Sequence, residues 1–402
     1  AVRNRKPSLT VTTAVVVPVV VVVVVAVIVV VRVVRALAIV VIGRSPPALD
    51  TEQQQQQEPT RLAPGKLKAR HWCCYEVVFL PKSWWLGSYL RFGQKLGPQK
   101  IIFMGSPKIA SDYLEALIKS NFIISAVFSQ PPKKKSRGMK IIESEVHQIA
   151  SKNKIEVFCP NTFDKDTIET VKKLNPDLII VMAYGKILPK DILDLPPFGC
   201  INIHVSLLPR WRGAAPIEHS LMSGDKETGI SIIQLIEKLD AGPIIKQKKV
   251  DIEDDCNKNE LSQKLTEVGI KLLVETIPLI FDKKITYSDQ DDNDATYANK
   301  ISSLNRKINF NKSVNEVLNL IRAHSPKPGA WFTIQNERIK IIKARKSNSN
   351  GNASTILNET FDIGCNDGSI EPLILQREGK NAISKDDFLR GYSFKVNEVI
   401  NA

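Results

Sequence analysis

At 402 residues, 43% of them hydrophobic, the chain is long enough for two domains and a sizeable core. Its net charge of +14 is uneven: residues 1–100 hold 14 Lys/Arg and 4 Asp/Glu, residues 101–301 hold 27 and 28, and residues 302–402 hold 15 and 10. The six cysteines form no Cys-x-x-Cys pair and the five histidines are scattered, which excludes a zinc spacing and a disulfide-stapled framework and points to reduced thiols.

In chain order, the first feature is Ala14–Val31, an uncharged run of 18 residues, nearly all Val, with Pro18 inside. That length is at the lower edge of a membrane span, and Arg3, Arg5 and Lys6 precede it as in a secretory n-region. Near-pure Val followed by the Gln53–Gln57 tract is low complexity, and such tracts do not build a packed core. The expectation for residues 1–98 is an extension of doubtful function, disordered or spurious. A membrane tether or a targeting segment is the alternative.

From Gln99 strand and helix patterns alternate. Lys100–Met104 predicts a strand, Lys108–Lys119 a helix, Ile123–Phe128 a strand, Ser144–Lys152 a helix, and Asp177–Ala183 and Gly199–His204 two further strands. This alternation predicts an α/β fold with a doubly wound, mostly parallel sheet. Ligands in such sheets lie beyond the carboxyl ends of the strands. Gly105-Ser106-Pro107 is not Gly-x-Gly-x-x-Gly, so a dinucleotide site is disfavoured. Gly213–Ser223 reads as a helix, Gly229–Leu235 and Pro243–Val250 as strands, and Cys256–Ile280 as a long amphipathic helix. Residues 282–301, with an acidic run at 289–294, read as a linker between domains at 99–281 and 302–402. In the second domain Ser313–Ala323 is helical, and short runs such as Trp331–Ile334 and Arg338–Ala344 predict a small β-barrel. Its basic balance suits a phosphate backbone or is a solvated Lys-rich face.

The richest stretch is Cys200-Ile-Asn202-Ile-His204-Val-Ser206-Leu-Leu-Pro209-Arg-Trp-Arg-Gly-Ala-Ala-Pro-Ile217. Residues two apart on a strand face one side, so a strand here points the Asn202 amide and the His204 imidazole into one pocket. Asp240 follows in Lys238-Leu239-Asp240-Ala241-Gly242. Amide, imidazole and carboxylate are what direct acyl transfer to an amine needs: an oxyanion donor, a proton carrier and a group that orients it. Taken alone, His204 reads as a core histidine and Asp240 as turn chemistry.

Asn202-x-His204-x-Ser-Leu-Leu-Pro209 with Leu239-Asp240-x-Gly242 resembles the enzymes that transfer a formyl group from 10-formyltetrahydrofolate, and the run on to Ile217 resembles their methionyl-tRNA branch. The likeness continues in Ile101–Pro107, Gln130-Pro131, Arg137-Gly138, Ala183–Pro189, Ile321–Ala323 and Pro328–Trp331. The resemblance implies a Rossmann-like formyltransferase domain followed by an OB-like barrel. It implies Asn202, His204 and Asp240 as catalytic residues, and Ser206, Leu207, Leu208 and Pro209 against the folate. Lys133, Lys134, Lys135, Arg137 and Arg210 then meet the tRNA acceptor end, with a solvated basic loop as the competing reading. The implied cosubstrate is 10-formyltetrahydrofolate without a metal, and the acceptor is initiator methionyl-tRNA, or alternatively a sugar-nucleotide amine. A cytoplasmic monomer without an obligatory protein partner is expected, or a mitochondrial matrix or membrane-tethered one if residues 1–98 are a targeting segment. Ile109 stands where the family often has the Phe of Gly-Thr-Pro-Asp-Phe, which bears on the pocket for the methionine side chain.

Overall fold

A computed structural model describes residues 98–135 and 140–400, with the backbone alone for Lys134, Lys135 and Lys140. The expectations for the N-terminal extension and for Arg137 lie outside the described residues. From Lys100 the elements are β1 (Lys100–Gly105), α1 (Lys108–Lys119), β2 (Ile123–Phe128), the short hairpin β3 (Lys133–Lys135) and β4 (Lys140–Ile142), α2 (Glu145–Lys152), β5 (Val157–Phe158), α3 (Lys165–Leu174), β6 (Leu178–Met182), α4 (Lys190–Leu193) and β7 (Cys200–His204). β8 (Arg212–Gly213), α5 (Pro216–Met222), β9 (Glu227–Gln234), β10 (Ile244–Asp251) and the long α6 (Lys258–Phe281) complete the first domain.

Seven strands form one sheet in the order β10-β9-β7-β6-β1-β2-β5. The pairs from β7 through β5 are parallel, whereas β9 runs antiparallel to both β7 and β10. Leu178–Met182, at the centre, is buried along its whole length, as expected of a parallel strand covered on both faces. Each fully buried Ile, Leu or Val there contributes roughly 1.5–3 kcal/mol. One face packs on α1 and α6 through Phe103, Tyr113, Leu114, Leu265 and Ile277. The other packs through Ile102, Met104, Ile179 and Ile192. Chain order along the sheet reverses at β1: the chain moves from β1 through β2 to β5, then returns to β6 on the other side of β1. The crevice at such a switch lies beyond the carboxyl ends, where β6 and β7 deliver their loops.

The acidic segment 282–301 is folded onto the first domain. β11 (Tyr297–Ala298) pairs in parallel with β8, Ser288 bridges Ile244, and Asp292 is held by Arg212 and Lys238. Paired carboxylates and backbone ladders thus replace the apolar anchors whose scarcity reads as a linker.

The second domain comprises α7 (Val314–His324), β12 (Ala330–Ile334), β13 (Glu337–Ser347), β14 (Ile363–Cys365), β15 (Gly368–Arg377), β16 (Ala382–Ser384) and α8 (Lys385–Arg390). Its antiparallel sheet runs β12-β13-β15-β14 with β16 on β15, a curled half-barrel rather than a closed ring. α7 is started by a Ser313–Glu316 capping box, a reciprocal pair that satisfies two otherwise free backbone donors. Val314, Val317 and Ile321 of α7 join Phe332, Ile341 and Leu375 in the core, so the helix fills the side that a closed barrel would cover with strands.

Candidate active site

Asn202 and His204 sit in the last three residues of β7, in register with Ile233 and Ser231 of β9. Both line a cavity of about 520 Å³ at the carboxyl ends of β6 and β7, together with Asp240 and Gly213. His204 and Asp240 are buried, 5% and 7% exposed. The rest of the wall is largely apolar: Val181, Tyr184, Leu188, Leu193 and Leu235. Ile187, Ile236 and Leu239 stand exposed at its mouth.

The polar groups orient one another. Asn202 donates Nδ2–H to Asp240 Oδ1 at 3.3 Å, which fixes the amide at the cavity wall. Asp240 Oδ2 accepts the Gly213 N–H at 2.9 Å and lies 3.6 Å from His204 Nδ1. His204 Nε2 is 2.8 Å from the Trp211 carbonyl. A carbonyl only accepts, so Nε2 carries a hydrogen and donates to it, which makes Nδ1 the nitrogen that can take up a proton. The sequence reading expects Asp240 to accept from the imidazole; at 3.6 Å its hydrogen bonds go to Asn202 and Gly213 instead.

Local backbone explains these positions. Asp240 has φ +48° and Trp211 φ +63°, sparsely populated for side-chain-bearing residues and stabilised only by surrounding contacts. A Cβ added to Gly242 would fall 1.8 Å from the Gln234 carbonyl oxygen, so the corner after Asp240 demands glycine. Gly213 has φ +119° and would meet the Ala298 carbonyl at 2.8 Å. Ala214 and Ala215 both donate to that carbonyl. These bonds delay α5, which begins at Pro216 rather than at Gly213 as the sequence pattern predicts.

Ser206–Pro209 do not line the cavity. Ser206 is fully buried and donates to Arg210 O at 2.6 Å. Its carbonyl accepts from Ser231 Oγ at 2.6 Å, Leu208 N donates to Ser231 Oγ, and Gln247 donates to Leu208 O. This turn braces β7 against β9 and β10. Arg210 makes a bidentate pair with Asp225, at 2.9 and 2.7 Å, and stacks over Trp211 at 4.4 Å. That pairing raises the Arg210 pKa further. Lys133 donates to Gln130 Oε1 at 2.7 Å, and Lys134 and Lys135 follow it on β3.

Three further neighbours complete the setting. Tyr184–Leu188 form much of the cavity wall; their signal was the Ala-Tyr-Gly-x-Ile-Leu-Pro run. Arg212 is fully buried and donates to Gln290 Oε1 at 3.0 Å and Asp292 Oδ1 at 2.7 Å. Gln290 in turn donates to the carbonyls of Asp240 and Gly242 at 2.9 and 2.7 Å. No local pattern signals a pair so far apart in sequence. Cys200, on the same strand, is an inert thiol: burial pushes its pKa up to about 12. Among the described residues no group of three or more His, Cys, Asp or Glu is placed to hold a metal ion, and no helix is long and apolar enough to cross a membrane.

Residues 99–277 match the family described as formyl transferase, and residues 300–393 match the formyl transferase C-terminal domain. The methionyl-tRNA formyltransferase of Pelagibacter ubique (strain HTCC1062) is 41% identical over 296 residues, covering 73% of this chain and 96% of the relative. That of Rickettsia prowazekii (strain Madrid E) is 38% identical over 304 residues, covering 75% and 99%. Among solved structures, an N-formyltransferase from Helicobacter canadensis, in complex with folinic acid and dTDP-3-aminofucose, aligns with a TM-score of 0.54 at 23% identity, covering 69% of this chain and 99% of that one. HypX from Aquifex aeolicus in complex with tetrahydrofolic acid aligns with a TM-score of 0.51 at 15% identity, covering 76% and 51%. At those identities the structural likeness speaks to fold alone.

Proposed function

We propose a function on one premise: the chain belongs to the methionyl-tRNA formyltransferase family. It transfers the formyl group of 10-formyltetrahydrofolate to the free amine of the methionyl moiety on initiator tRNA. The observation that carries the reading is the convergence of Asn202, His204 and Asp240 on one mostly apolar cavity. The sugar-nucleotide alternative has only distant structural neighbours on its side.

The residues fit a folate. The cavity is apolar enough for a flat heterocycle, its polar groups cluster on one side, and the exposed Ile187, Ile236 and Leu239 extend the apolar surface outward. The folate supplies an activated formyl carbon on nitrogen. As the acceptor amine adds to that carbon, the free Asn202 N–H donates to the oxygen that becomes negative; one such donor contributes about 2.7–4 kcal/mol. His204 Nδ1 takes the proton that the amine releases, and the resulting imidazolium lies between the Trp211 carbonyl and Asp240 Oδ2. The proton then returns to the departing nitrogen, so C–N formation and C–N cleavage balance. Asp240 is oriented by Gly213 and Asn202. Holding two large substrates in register supplies much of the remaining rate.

For the acceptor, the basic second domain is the proposed tRNA surface, with Lys343 and Lys346 of β13 exposed and in no ion pair among the described residues. Lys133–Lys135 and Arg137 extend it on the first domain. Arg210, committed to Asp225, is not part of it. A monomer in the cytoplasm, without an obligatory protein partner, completes the reading. The test is mass detection of N-formylmethionyl-tRNA made by the full chain from 10-formyltetrahydrofolate and charged initiator tRNA. Product requiring both substrates is expected; none, with an intact melt, contradicts it.

A further inference from the structure

We propose that Arg212 and Gln290 are positioning residues for formyl transfer, which makes the segment joining the two domains part of the catalytic apparatus. This rests on the assignment of Asp240 above. Asp240 occupies a left-handed backbone conformation, which it holds only if its surroundings enforce it. Its own carbonyl and that of Gly242 both accept from the one Gln290 amide, at 2.9 and 2.7 Å. The same amide's oxygen accepts Arg212 Nε–H at 3.0 Å, which fixes the amide orientation so that its nitrogen must face the Asp240 corner. Arg212 is fully buried, is tied to Asp292 by Nη1, and has an Nη2 with no hydrogen-bond partner among the described residues.

That arrangement is costly for stability alone. A buried guanidinium with an unpartnered nitrogen is the sort of group that well-packed apolar residues replace without loss. What it accomplishes is geometric. Arg212 is the residue before Gly213, whose N–H holds the Asp240 carboxylate, and its backbone N–H donates to Thr296. Arg212 and Gln290 therefore fix both ends of the carboxylate's setting: the backbone that carries it and the N–H that aims it. The groups that hold Arg212 and the Asp240 corner, Gln290, Asp292 and Thr296, lie outside the strand that carries Asn202 and His204. Displacement of a reacting group by about 1 Å costs on the order of a hundredfold in rate, so the corner tolerates little slack.

The test uses the full chain with Gln290→Met, which keeps the shape but loses all three hydrogen bonds, and Gln290→Glu, which keeps an acceptor for Arg212 but sets a carboxylate oxygen against two carbonyls. Asp240→Asn reports on the underlying assignment. Single-turnover formylation is measured at saturating 10-formyltetrahydrofolate and methionyl-tRNA, with folate Kd and thermal melts alongside. Both Gln290 variants should melt cooperatively, bind folate within about twofold of wild type, and lose about 10–100-fold in the single-turnover rate. Wild-type rates in Gln290→Met with Asp240→Asn inactive would overturn the positioning role and leave the site assignment standing. A wild-type single-turnover rate with only the folate Kd weakened would also overturn it, whereas a fully active Asp240→Asn would remove the assignment on which it rests. Should Gln290→Met not melt cooperatively, Arg212→Lys carries the same test, since it keeps the charge and loses the Nε–H to Gln290. A wild-type rate there overturns the proposal, and a 10–100-fold loss with unchanged folate Kd supports it.

Discussion

The two described domains place their polar groups in opposite ways. In the first, the decisive groups are buried: His204 and Asp240 are 5% and 7% exposed, and each polar contact ends on a backbone atom or on another fixed side chain. In the second, the charge lies outside, on strand β13 with its exposed Lys343, Arg345 and Lys346. Buried groups act at hydrogen-bond range and answer to geometry, while exposed ones act through a screened field and answer to ionic strength. A transferase with one small, chemically demanding substrate and one large polyanion needs both. The chain separates them instead of asking one surface to do each job.

The sharpest way to break that division is to remove the proton carrier. His204→Ala should lower kcat by about 10²–10⁴, the range of general acid–base contributions, while folate Kd stays near wild type because the apolar wall is intact. Stopped-flow binding beside steady-state assays checks both numbers, and near wild-type turnover would refute the role. Smaller, and on the other side of the comparison, is the double change Lys343→Glu with Lys346→Glu. It should raise the tRNA KM about tenfold and leave kcat alone, with each lost phosphate contact reducing the salt slope by roughly one. A fall in kcat at saturating tRNA would show that these charges reach into the chemistry.

A third effect, on stability and not on turnover, concerns the seam between the domains. His324, at the end of α7, is 1% exposed with no partner for Nε2 among the described residues. Burial pulls its pKa down to about 4, with Lys258, Arg306 and His219 adding to the fall and Glu218 opposing it. The unfolded chain therefore binds a proton that the folded one refuses between about pH 6.5 and 4, so stability falls as pH drops through that window and levels off below it. The span is about 3 kcal/mol. Urea melts at pH 4.5 and 7 should show it, and His324→Gln should flatten it without changing kcat at pH 7.

Much of this was legible in the sequence because it was local. Lys100–Met104 and Ile123–Phe128 announce themselves by apolar runs and become β1 and β2. The helix predicted at Cys256–Ile280 starts two residues later, where the Asn257–Glu260 capping box sets its boundary. Strand alternation puts Asn202 and His204 on one side of β7, and both line one cavity, while their catalytic roles come from the resemblance. What the sequence hid was non-local. Val157–Phe158 and Arg212–Gly213 are strands only because distant partners complete them. The bonds that Ser231 and Gln247 make to the Ser206–Pro209 turn are likewise invisible in the local pattern. The acidic run 289–294 reads as a linker, and nothing nearby in sequence says that Arg212 and Lys238 pair with Asp292 in it.

The division of labour is tested most directly by one salt titration of the full chain. Steady-state formylation of methionyl-tRNA is measured from low to moderate ionic strength, with kcat and the tRNA KM separated at each point. The tRNA KM should rise steeply, as counterion release requires, while kcat at saturation stays flat because the buried site is shielded from screening. A kcat that falls with salt while the tRNA KM stays constant would contradict the account, placing the exposed charge in the chemistry and leaving the second domain without its role.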